Sequence, residues 1–459
     1  MVREADRSRP DQRRWNRLFP THPHGLHFQA SRVDAVPEQG EREVSHERQD
    51  LSNLGRFAIL GVAAFAFSVG FKVAAGGDTF WIIVQMAAYA VALSYLVLAF
   101  VIRNAWSSAI QRSVALVLGC LVVIAVGYEI TVLNPSYGTD VIAFAHGGGE
   151  ILLDGENPYS APVGQVRDIA DRFGVQLTRT SDGGVIDWLI SYPALHVLSF
   201  ASFLAVGFTD LRWGILIVEL VALAVIWWAL SPKARLFAPF VLLLEPFLSV
   251  VFTGGGVTDW LWVLPMAITA ICLSRGRYGY AGIALGIACA VKQHPWFVAP
   301  FVLVWLIQTL RSEGENGLTS EARRSLGAFL FGVAAGFLSP NLPFLFWDPG
   351  SWFQSVLSPA LGDMVADGHG IALLVSREIL ALSSEVFTGM VVLALVGGLA
   401  AYARYFDRLK DLLWVIPPII MFVSYRSLHT YFVFWIPIAV LWLDLRVVSR
   451  ESGEMPIAS

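Results

Sequence analysis

Charged residues make up only 15% of this 459-residue chain, and a charge held at membrane depth is costly enough to imply a task. Asp140 is the first such group. It lies one or two helical turns beyond an apolar run (Ser113 to Leu133), in Tyr137-Gly-Thr-Asp140-Val-Ile-Ala-Phe144-Ala-His146. Three glycines and Glu150-Ile-Leu-Leu-Asp154 follow, and Gly155-Glu-Asn157-Pro158-Tyr159 closes the stretch as a turn. Gly permits unusual backbone angles there and Pro fixes one. A carboxylate in this place suits a general base or acid facing a lipid-phosphate substrate; the plainer alternative is an interfacial helix N-cap. Glu150, Asp154 and Glu156 read as ordinary loop charges.

Lys292 and His294 stand beside Pro295 in otherwise apolar chain. Either the lysine snorkels to an interface from a helix end, or its compact ammonium receives the phosphate of a lipid carrier. His369, in Asp367-Gly-His369-Gly, is the imidazole best suited to proton transfer near neutral pH, or a solvated loop side chain. Arg377 sits in Ser376-Arg-Glu378, while Arg426 and His429 flank the start of the final apolar run and also fit an aromatic-belt turn. Asp259 and Asp348 stand at span ends and read as caps.

The elements that must position these groups are apolar. The chain is 56% hydrophobic with a mean hydropathy of +0.60, too apolar for a soluble globular protein. Runs long enough to cross about 30 Å of hydrocarbon recur along most of it. The expected fold class is an all-α polytopic membrane protein.

Residues 1–50 read as a disordered cytoplasmic tail, arginine-rich at its start, with no signal peptide. Two accessory spans are expected near 57–76 and 79–102, within 51–112, and a third near 113–133 delivers Asp140 to the outer face. The first outer loop, 134–187, carries eight acids against three arginines, and Val141 to Leu153 is expected as an interfacial helix with Thr139 or Asp140 near its N-cap. Further runs fall near 189–207, 213–230, 236–252, 258–274, 279–293, 295–310 and 326–347. A second outer loop, 348–384, precedes the last runs near 385–403, 411–424 and 428–445. Seven runs between two loops on the same side break parity, so at least one is incomplete, and about twelve full spans are expected. The weakest are those broken at Lys292-Gln-His294-Pro295 and at the glycines before Asp259.

Several function classes drop out. The three cysteines, Cys120, Cys272 and Cys289, lie inside apolar runs and read as small core residues. No metal-ligand spacing, phosphate-binding loop or zinc-protease motif is present, so neither metal nor cofactor is called for. No basic patch invites nucleic acid.

In the span ending before Asp140, the Phe144 helix, Leu153-Asp-Gly155-Glu-Asn157-Pro158-Tyr159, Ser191-Tyr192-Pro193-Ala-Leu195, the Lys292-x-x-Pro295 break and Asn341-Leu-Pro343-Phe344, the chain resembles the GT-C glycosyltransferases. The branch is the bacterial polyprenyl-phosphate-mannose-dependent one that includes the mannosyltransferases of mycobacterial phosphatidylinositol mannosides. The resemblance covers about 113 to 445, and Gly147 to Gly149 and Tyr192-Pro-Ala depart from the usual pattern. It implies a GT-C-type bundle with short amphipathic helices in its outer loops and a catalytic core over 113–459. The implied protein is a multi-pass plasma-membrane enzyme with both termini cytoplasmic and its active site outside. It would move a sugar, mannose or arabinofuranose, from a polyprenyl-phosphate carrier to a lipid or glycan acceptor hydroxyl with inversion, among membrane lipids. Asp140 would be the base and His369 a second proton-transfer group. Lys292, His294, Arg377, Arg426, His429 and Tyr159 would bind substrate. The competing expectation is a transporter or flippase of a lipid-linked saccharide.

Overall fold

The computed structural model describes residues 39–73, 78–102, 106–180, 183–186, 188–236, 248–312, 318–361 and 364–451. The expected tail over 1–38, Asp182, Asp187 and most of the run near 236–252 lie outside these residues. Residues 1–50 and 51–459 form two units. The stretch 39–50 is helical, where a disordered tail was expected, because α1 (Gln39–Val73) begins among the strong helix formers Gln, Glu and Arg.

Numbering only helices longer than one turn, α2 (Thr79–Val101) and α3 (Ser108–Tyr128) follow. These pack on α1 through Ala58, Ile59, Val62, Tyr95, Ala99, Val114 and Leu118. A π-helical turn, Glu129–Leu133, extends α3. Its buried Glu129 takes a 2.6 Å hydrogen bond from Lys72 Nζ of α1. The pair expected to be accessory is thus tied to the helix that leads to Asp140.

The first long connection holds α4 (Asp140–Leu153) and α5 (Val163–Phe173). Helix α4 is packed within the protein, for its residues from Ile142 to Gly149 are buried. The glycines explain this. A Cβ on Gly147 or Gly148 would stand 2.5 or 2.6 Å from the side chains of Ile169 and Ile190, and one on Gly149 3.1 Å from the Ala201 nitrogen. Helix α6 (Ala194–Ala205) therefore packs directly on α4. Helix α5 is amphipathic, burying Val166, Ile169 and Ala170 while Arg167, Asp168 and Asp171 face outward.

After α7 (Arg212–Ala229) come α8 (Trp260–Ser274), α9 (Tyr278–Val291), α10 (His294–Ser312) and α11 (Ser320–Trp347). A close helix crossing joins α9 to α11. Gly282-x-x-x-Gly286 faces Gly332-x-x-x-Gly336, and a Cβ on any of the four would stand within 2.5 Å of the facing helix's backbone oxygen. Small residues at this spacing allow such an approach. The chain closes with α12 (Pro349–Leu361), α13 (Ile371–Ser376), α14 (Ser384–Arg404), α15 (Ile416–Phe422) and α16 (Ile436–Glu451).

Seven described helices are long and apolar enough to cross a membrane, against the twelve spans expected. Part of the difference is one of length, although α10, with 19 residues, is long enough and falls short in apolarity instead. Helices α6, α8 and α9 have 12, 15 and 14 residues, below the 17 or so a full crossing needs. The run near 411–424 yields a seven-residue helix, since Pro417 and Pro418 confine it to a late start.

Candidate functional site

One buried arginine aligns the two loops that carry the site's carboxylates. Arg212, at the start of α7, is fully buried and paired with Asp210 at 2.6 Å. Its guanidinium donates to the carbonyls of Asn134, Pro135 and Ser136 before α4, and to Gly254 before α8, at 2.6–3.2 Å. Gly138 N–H then donates to Gly255 O at 3.1 Å. Gly256, at φ +90°, turns the chain against Ile142 toward Asp259.

On its other side the first loop is anchored by Tyr137. The hydroxyl accepts from Leu211 N–H at 3.2 Å and shares a 2.8 Å hydrogen bond with His146 Nδ1, while His146 Nε2 lies 3.3 Å from Glu150. Glu150 in turn takes two 2.7 Å bonds from Arg172. That clamp holds the Glu150 carboxyl below the usual range, and burial lowers the His146 imidazole. Glu150 is therefore a brace rather than an ordinary loop charge.

Between these loops lies a cavity of about 820 Å³ whose wall includes Asp140, Lys292, His294, His369, Arg426 and His429. Six of the eight expected site residues thus meet in one place. Asp140 is the first residue of α4, and its carboxylate caps nothing there; Oδ2 accepts from Thr178 Oγ1 at 2.7 Å.

Lys292 owes its position to the break between α9 and α10. Pro295 lacks an N–H and so starts a new helix, and Lys292 takes an extended conformation. Its side chain does not snorkel. It is buried and donates to both oxygens of Asp259 at 3.0 and 2.9 Å. Asp259 also accepts from Trp262 Nε1 at 2.7 Å, so it too is no cap. Gln293, missed in the sequence, ties the break to Ser191 O and Val356 O at 2.6 and 2.8 Å. The wall continues through the half-buried Tyr192 and Tyr431, whose rings lie 5.2 and 5.9 Å from Lys292 Nζ. His294 packs on Tyr431, and His196, also missed, packs on Tyr192.

A backbone ribbon assembles the opposite rim. Thr180 bridges to Met364, and Val365 N–H donates to Arg179 O at 3.1 Å. Two residues further on, β1 (Asp367–Gly368) pairs in parallel with β2 (Arg426–Ser427). His369 N–H adds a 2.8 Å bond to Ser427 O. This brings the His369 ring within 5.4 Å of His429 and sets Arg426 in the wall. Among the described residues no carboxylate pairs with Arg426.

Tyr159 and Arg377 do not line the cavity. Gly155, at φ +85°, ends the α4 turn, and Asn157 accepts from Tyr159 N–H. These fix Tyr159 in the core, where its hydroxyl donates to Tyr192 O at 2.8 Å. It supports the wall from behind. Arg377 follows the short α13 on an exposed surface. Asp348 caps α12, accepting from Ser351 N–H at 3.0 Å.

Comparison with family models, curated proteins and solved structures finds no match for this chain.

Proposed function

We propose that this membrane protein is a glycosyltransferase that moves a sugar from a polyprenyl-phosphate carrier to an acceptor hydroxyl at the outer face of the plasma membrane. The observation that carries this reading is a carboxylate, Asp140, sharing a largely apolar cavity with an arginine that has no acidic partner among the described residues. Asp140 accepts the proton of the acceptor hydroxyl as that oxygen attacks the anomeric carbon. The bond from that carbon to the phosphate oxygen breaks, its electron pair leaves with the polyprenyl phosphate, and the anomeric centre inverts. Arg426 stabilises the charge growing on the departing phosphate. Lys292 is no longer the first choice for that role, because Asp259 already neutralises it. Val391, Val392 and Leu395 of α14 add apolar wall for an isoprenoid chain. His369 and His429 stand beside Arg426 and are placed to hydrogen-bond the phosphate.

The test is transfer of label from polyprenyl-phosphate-mannose to a crude membrane-lipid acceptor pool by reconstituted protein, comparing wild type with Asp140→Asn. Label should move in wild type and fall by roughly two to four orders of magnitude in the variant. Equal transfer by both removes Asp140 from the chemistry. Absence of transfer from mannose and arabinofuranose carriers alike, with labelled carrier crossing sealed vesicles instead, replaces the enzyme with a transporter.

A further inference from the structure

The buried wall of the cavity contains polar groups that the protein leaves unsatisfied. His196 and Thr258, each 1% exposed, both line the cavity. Among the described residues, neither ring nitrogen of His196 nor the Thr258 hydroxyl has a hydrogen-bond partner. His294 Nδ1, in the same wall, lies 3.6 Å from Asp259, too long for a hydrogen bond. Each such buried group costs stability until it is paired; the other orphans among the described residues are mostly single tryptophan nitrogens that do not line this cavity. Three residues doing so around one cavity mark a place where a ligand supplies the partners.

The charge balance says which ligand. Lys292 and Asp259 cancel, so this wall offers no net positive charge to an anion. A neutral imidazole has one donor and one acceptor, and a hydroxyl likewise has both. The group that matches is uncharged and carries several hydroxyls. We infer that His196 and Thr258 form a polyol subsite that selects the sugar of the lipid-linked donor, separate from the Arg426 rim that takes its phosphate. The inference rests on the glycosyl-transfer reading for calling the polyol a sugar.

Binding tests it independently of transfer. Affinities for polyprenyl-phosphate-mannose, polyprenyl-phosphate-arabinofuranose and bare polyprenyl phosphate are measured on full-length protein in nanodiscs, for wild type, His196→Phe and Thr258→Val. Wild type should bind one of the sugar-bearing lipids about tenfold more tightly than the bare phosphate, and each variant should lose most of that margin while keeping its affinity for the bare lipid. In ligand-free protein, His196→Phe should hold or raise the unfolding temperature, because it removes orphaned polar atoms and keeps an aromatic ring beside Tyr192 and Phe200. A wild type without any sugar preference, or variants that keep it, overturns the inference. A preference lost in the variants with no transfer by wild type leaves the subsite standing and removes the transferase.

Discussion

Two sets of charges in this protein are treated in opposite ways. Arg212, paired with a half-buried Asp210, and Lys292, paired with Asp259, are buried and surrounded by further hydrogen-bond partners. Asp140 and Arg426, which line the same cavity as Lys292 and Asp259, are half-exposed; among the described residues one holds a single threonine hydroxyl and the other no carboxylate. The first set spends its charge on bracing the helix ends. The second keeps its charge available to a ligand, and only such charges can respond to one that develops during a reaction.

The sharpest way to break this contrast is Arg212→Leu. It leaves Asp210 and four loop carbonyls without their donor, and should cost about 3–5 kcal/mol in an unfolding titration. A smaller loss would mean the loops hold each other without the arginine. Lys292→Met should fall at the lower end of the same range, because Trp262 still donates to Asp259. Adding Asp259→Leu should recover most of the loss, since no uncompensated charge then remains. If the double variant is no better than the single one, the pair is not a self-contained brace.

Arg426→Gln should behave oppositely. Its unfolding free energy should stay within about 0.5 kcal/mol of wild type, while affinity for bare polyprenyl phosphate drops roughly tenfold to a hundredfold, the worth of one charged hydrogen bond. Unchanged binding would return the phosphate role to another group.

The smallest expected effect concerns pH. Arg172 holds the folded Glu150 carboxyl below its ordinary value of 4.5, so its contribution to stability is present above that value and is lost as pH falls through the lower, folded one. His146, lowered by burial, acts in the same direction, losing its contribution as pH falls below its ordinary 6.5 toward its folded value. Glu150→Gln should flatten the acid side of the unfolding temperature against pH without moving the neutral plateau much, Glu150 being partly exposed. An unchanged acid limb would show that the clamp carries no stability.

Much of this was legible in the residues themselves. The apolar runs announced a helical membrane protein, Pro295 announced the break that carries Lys292, and the scarcity of charge singled out Asp140, Lys292 and Arg426. The glycine pairs of α9 and α11 went unread, because their four-residue spacing names no partner helix until the two are packed together. Arg212 went unread too, because at the head of an apolar run it looks like any flanking cation. His196 was hidden likewise, since a lone histidine in a helix says nothing about its ring neighbours.

The sequence by itself determined where helices run and stop, because hydrogen bonding within a helix and the missing N–H of proline act between near neighbours. Tertiary structure decided which charges became braces and which stayed free. Asp259 and Lys292 are 33 residues apart, and Thr178 and Asp140 are 38 apart. No local spacing encodes such pairings. They exist because close-packed helices and two short backbone ribbons bring those side chains to one cavity, where burial makes an unpaired charge costly and a rim exposure makes it tolerable.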